Sequence, residues 1–138
     1  MILIFGWACR NLQPMTEPLA FICYREIRPG SQLANKLRDQ GYRVQTISPD
    51  EDVVVRALDE KPILAIFELV DGDESVPGMI RSIRDHEATS HLPILGFAPS
   101  KNTALQDAGR AAGASLVAGS EGLLDQLDSL LEHILQVD

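Results

Sequence analysis

The sequence predicts an α/β fold, a five-stranded parallel sheet wound on both faces by helices. Three observations lead there. From Leu19 onward, short apolar runs alternate with longer helical patterns, the pattern of parallel strands joined by crossover helices. The third run, PILAIFEL at 62–69, is apolar on consecutive residues, as a central strand must be when helices cover both sides. The last segment sets Leu123, Leu124, Leu127, Leu130, Leu131, Ile134 and Leu135 at the i, i+3, i+4, i+7 spacing of a docked amphipathic helix.

The elements follow in order. LAFICY at 19–24 reads as the first strand. SQLANKLRDQG follows as a helix with Ser31 as its cap, Leu33 and Leu37 on one face and Gly41 ending it. YRVQTI at 42–47 alternates Tyr42, Val44 and Thr46 with Arg43 and Gln45, as a half-buried strand does. SPDE at 48–51 is a helix start, with Ser48 as cap, Pro49 in the first turn and Glu51 completing a capping box. The second helix then runs through Val53 to Leu58, and Met79, Ile80 and Ile83 mark the third. LPILGFA at 92–98 is the fourth strand, TALQDAGRAAG an alanine-rich helix, and ASLVAG the fifth strand. Five such units suit the flavodoxin-like strand order 2-1-3-4-5.

With 138 residues, 45% of them hydrophobic, the chain fits one domain with a real core. Twenty acidic residues against 12 basic ones leave no broad cationic surface for nucleic acid or an anionic membrane. Cys9 and Cys23 are too few for a disulfide scaffold, which points to a reducing, cytoplasmic setting. His86, His91 and His133 do not pair with them at zinc spacing, so neither a metal nor a cofactor is expected.

MILIFGWAC, closed by Arg10, is shorter than the roughly 20 residues of a membrane helix and lacks the basic start of a secretory signal. Residues 1–17 read as an N-terminal extension to a domain at 18–138. Either Ile2 to Trp7 adds an edge strand, or Met15 is the natural start.

In a doubly wound sheet, chemistry gathers after the carboxyl ends of the strands. Those positions hold Tyr24, Arg25 and Glu26, then Glu68 to Asp73, Ala98 to Ser100, and Gly119 to Glu121. Asp71, Asp73 and Glu74 form an acidic turn without EF-hand spacing. Ser100 and Ser120 sit in no nucleophile-elbow pattern, and YREIRPGS lacks the glycines of a dinucleotide loop.

PILAIFEL, GMIRSIR, HLPILGFA and GASLVAGS, in this order and spacing, resemble the receiver domains of bacterial two-component response regulators. The likeness spans residues 19–136. It implies a phospho-acceptor Asp ending the third strand, an acidic pair holding Mg²⁺ after the first, a hydroxyl ending the fourth and a Lys after the fifth. Carried over, these positions are Glu68, Tyr24 with Arg25, Ala98 and Ser120. None keeps the family residue, and a shift of one at the first strand brings in Glu26. The resemblance therefore implies a stand-alone pseudo-receiver that signals through a protein partner, a second copy being one candidate, and is not an enzyme.

Its pairing surface would be the alanine-rich helix with Ala104, Ala108, Ala111 and Ala112, the fifth strand and the last helix. Two alternatives stand beside this reading: a phosphorelay receiver accepting phosphate on Asp71 or Asp73, and a small-anion binder using Tyr24 and Arg25. Within the pocket, Arg25 and Glu68 either pair or are both solvated.

Overall fold

A computed structural model of the chain describes residues 18–24, 27–48, 51–72 and 74–135, with only the backbone described at 27–30 and 135. The strands are β1 (Leu19–Cys23), β2 (Arg43–Thr46), β3 (Leu64–Glu68), β4 (Ile94–Ala98) and β5 (Leu116–Gly119). The helices are α1 (Ile27–Asp39), α2 (Val53–Glu60), α3 (Ser75–Asp85), α4 (Thr103–Ala112) and α5 (Leu123–Leu135), with a 3₁₀ turn at Ser120–Gly122. The sheet is parallel throughout, in the order β2-β1-β3-β4-β5, as the alternation of runs predicts. The expected N-terminal strand and the start at Met15 fall outside the described residues.

Alternate residues of each strand feed two cores, because successive side chains point to opposite faces. Phe21, Phe67 and Ile94 pack with Val53 and Ala57 of α2, Ile80 and Ile83 of α3 and Ala112 of α4. On the other face, Ile22, Ile66, Leu95 and Phe97 meet Leu33 and Leu37 of α1 and Leu123, Leu127, Leu131 and Ile134 of α5. Leu123, Leu127, Leu131 and Ile134 of the C-terminal stripe are thus core, with Leu124 and Leu130 half-buried at its margin. Cys23 is buried in the first of these clusters.

Several boundaries differ from the sequence reading. Helix α1 begins at Ile27, so Ser31 lies inside it rather than capping it; Pro29 is tolerated because first-turn amides have no intrahelical acceptor to lose. Gly41 does end it, at φ 94°. Tyr42 N–H reaches Leu37 O and Gly41 N–H reaches Arg38 O, the paired bonds of a Schellman cap. Thr46 is exposed and Gln45 half-buried, because the Gln45 side chain turns to accept from Arg56.

The cap of α2 is Asp52, whose carboxylate accepts from Val55 N–H, not Ser48. Glu51 does make the bond expected of it in the capping box, accepting the Ser48 N–H at 2.9 Å, and that bond holds its carboxyl below the usual range, with Arg56 adding to the effect. Ile63 precedes β3 and is 40% exposed.

Candidate functional site

The carboxyl ends of β3, β4 and β5 surround a cavity of about 610 Å³. Register brings the strand ends together: Glu68 lies opposite Phe97, Ala98 opposite Gly119, and Cys23 opposite Phe67. Glu68, Asp71, Glu121 and Asp125 supply four carboxylates to the lining, and Leu69, Phe97 and Leu105 supply apolar surface. Among the described residues lining it, none is Lys or Arg.

Glu68 and Ser120 both line this cavity, and Glu68 is half-buried at the end of its strand. Two other expected positions stand apart from it. Ala98 is fully buried in the core on the α3 side, because it alternates with Phe97, which takes the opposite face. Tyr24 is half-buried and packs against the α1 and α5 core. Arg25 and Glu26 lie outside the described residues, as does Asp73, so the Arg25–Glu68 pairing belongs to the sequence reading alone.

Three loops are tied together across the cavity mouth. Ser100 donates both its N–H, at 3.0 Å, and its hydroxyl, at 2.7 Å, to Glu121 Oε1. Gly119 makes this approach possible: a Cβ there would lie 2.1 Å from Ser100 Oγ. Asn102 caps α4 through Leu105 N–H at 3.0 Å while its Nδ2 donates to Asp71 Oδ2 at 2.8 Å. Gln106 turns back to the carbonyls of Ala98 and Pro99. The loops after β3 and β5 are thus both latched to the loop after β4. Sequence reading missed this set, since the bonded residues stand 21 and 31 positions apart; only the cap role of Asn102, ahead of the TALQ helix, had a local signal.

The two Ser100 donors hold the Glu121 carboxyl below its ordinary value, the hydroxyl contributing most. A carboxyl whose folded value is depressed stabilises the fold above its unfolded value and loses that contribution as pH falls through the folded one. The loss therefore begins as pH drops below about 4.5. Glu121→Gln should lower the urea midpoint at neutral pH, and the gap to the parent should close on acidification. A gap unchanged by acid would remove the carboxylate from this account.

A divalent cation prefers several hard oxygen ligands. The residue after β1 is the phenol Tyr24, and among the described residues no three or more His, Cys, Asp or Glu side chains are grouped to hold a metal ion. The described donor set does not fit Mg²⁺.

The predicted partner helix splits by exposure. Ala104, Ala108 and Ala111 face outward beside an Asp107–Arg110 ion pair at 2.9 Å. Ala112 is only 4% exposed, which corrects its placement on that surface: it packs with Gly109 toward the sheet, on the helix's other face. Among the described residues, no helix is long and apolar enough to cross a membrane.

No family model matches the sequence, and no curated protein matches it either. Solved structures do. A Chloroflexus aurantiacus protein described as a response regulator aligns over 88% of this chain and 100% of its own, with TM-score 0.78 and 22% identity. The receiver domain of NtrX from Brucella abortus aligns over 86% and 99%, with TM-score 0.73 and 17% identity. The chemotaxis protein CheY4 of Vibrio cholerae aligns over 87% and 100%, with TM-score 0.71 and 17% identity. Identities this low carry the architecture and nothing finer, and that architecture is the receiver fold of response regulators.

Proposed function

We propose that this chain is a non-enzymatic pseudo-receiver, a cytoplasmic signalling module that works by binding a protein partner rather than by aspartyl phosphorylation. One observation carries the reading: the strand-end cavity is lined by Glu68, Asp71, Glu121 and Asp125 with no Lys or Arg among its described residues. Phosphoryl transfer needs a cation to neutralise the incoming group and positive donors to hold its oxygens. Four carboxylates repel it. The same lining disfavours a small anion in this cavity.

The receptor face for a partner is the outer side of α4 with Ala104, Ala108 and Ala111, together with β5 and α5, and it also serves if two copies pair. Residues 18–138 form the module, and residues 1–17 are an extension to it. Titration with Mg²⁺ and beryllofluoride, followed by amide NMR, tests the proposal. Shifts absent at Glu68, Leu69 and Ser120 are the expected result. Saturable, Mg²⁺-dependent shifts centred there would return the chain to the phosphorylated class, and acetyl-phosphate labelling of Asp71 or Asp73 would name a displaced acceptor.

A further inference from the structure

A second cavity, of about 420 Å³, opens at the opposite end of the sheet, where the chain enters β3 and β4. Its volume lies within the roughly 300–1,000 Å³ of small-molecule sites. Leu58, Ile63 and Leu92 give it an apolar surface, and Leu58 and Ile63 are each 40% exposed, two of the three large hydrophobics left open to solvent among the described residues. The Ile63 backbone is already committed, its N–H donating to Leu19 O at 2.9 Å. Only its side chain remains to be covered.

The one fixed charge lining this apolar surface among the described residues, Lys61, runs against the chain's own balance. Twenty acidic residues stand against 12 basic ones overall, yet the ionisable side chains lining the groove among the described residues are Lys61 and His91. Glu60 and Glu87 are near in sequence and do not line it. Lys61 also carries an unusual backbone. It ends α2 in the left-handed region, at φ 56° and ψ 60°, and among the described residues it is the one non-glycine with positive φ. Glycine suits such a cap better, so Lys61 lines the groove at a cost in backbone strain.

We propose that this groove is a binding site for a small amphiphilic carboxylate, its alkyl part over Leu58, Ile63 and Leu92 and its carboxylate between Lys61 and His91. Apolar burial supplies most of the affinity. The charge-assisted contact with Lys61 and the hydrogen bond with His91 fix orientation and add selectivity over a neutral chain of the same length.

Decanoate, kept below its micellar concentration, is the probe, and decanol is its uncharged counterpart. Titrated into the full chain, decanoate should give saturable NMR shifts at Leu58, Ile63, Thr89 and Leu92, and decanol should bind more weakly. Lys61→Gly removes the amine while suiting the left-handed cap, so the variant should fold with a raised thermal midpoint and bind decanoate about fivefold more weakly. Absence of saturable shifts, equal binding of decanol, or an unchanged dissociation constant in Lys61→Gly would each overturn the assignment. Shifts at the same residues that grow with protein concentration alone would give the groove to a second copy and overturn it as well.

Discussion

Arg84→Ala should destabilise the domain by about 3 kcal/mol, a large share of the roughly 5–15 kcal/mol that holds a domain together. The Arg84 guanidinium works as a clamp on two segments. Its Nε donates to Gly113 O at 2.7 Å, its Nη1 to Ser90 O at 2.8 Å and Leu92 O at 2.7 Å, and its Nη2 to Ser115 Oγ at 2.9 Å. Helix α3 is thereby fastened to the connections that lead into β4 and β5. Burial pushes the guanidinium's pKa down, but an arginine starts so high that it stays charged, so the clamp should be indifferent to pH. Removing it leaves part-buried carbonyls without their donor, which costs more than the bonds themselves contribute. Arg84→Lys should recover less than half, since an ammonium lacks the planar fork.

Gly113 provides an independent check on the same clamp. It stands at φ 127° in the cap of α4, and a Cβ there would lie 2.5 Å from Arg84 Cγ. Gly113→Ala therefore carries both backbone strain and displacement of the arginine, together about 2–3 kcal/mol. In the Arg84→Ala background the displacement disappears. The double variant should then be more stable than the sum of the singles by about 1 kcal/mol, read from urea unfolding. Strict additivity would mean that the two residues do not act through each other.

How much of this was legible in the sequence depends on the range of the interactions. The strands and helices were, because the apolar periods of 2 and 3.6 are local, and even the two-sided burial of β3 is written in consecutive apolar residues. Two helix caps were not: Ser31 and Ser48 look like caps, yet α1 begins at Ile27 and Asp52 takes the cap of α2, whereas the starts at Val53, Thr103 and Leu123 are where the pattern puts them. Local capping chemistry offers several candidates within a turn, and tertiary packing selects among them. That Glu68 and Ser120 stand at strand ends could be counted from the pattern, and both line the cavity. The Ser100–Glu121 and Asn102–Asp71 links could not be, because they depend on how closely loops approach, and the clue at Gly119 is a missing side chain.

Leu69→Ala should also cost about 3 kcal/mol, and it bears directly on the cavity. Leu69 follows Glu68 at the end of β3, is 2% exposed, and donates its N–H to Phe97 O at 2.9 Å. Its side chain fills the space left by two glycines. A Cβ on Gly96 of β4 would meet Leu69 Cδ1 at 3.4 Å, and one on Gly109 of α4 would meet it at 2.6 Å. The alanine-rich sequence of α4 thus has two uses: Gly109 and Ala112 let the helix approach the sheet, while Ala104, Ala108 and Ala111 face out. Gly109→Ala alone should cost about 1–2 kcal/mol through overpacking. Combined with Leu69→Ala, the added methyl should enter vacated space, and the pair should be less destabilising than the sum by about 1 kcal/mol. Urea unfolding of the four proteins decides it. A coupling of zero would mean that α4 moves away from the sheet instead of resting on Leu69, and the wall of the cavity beside Glu68 would then be adjustable rather than fixed by packing.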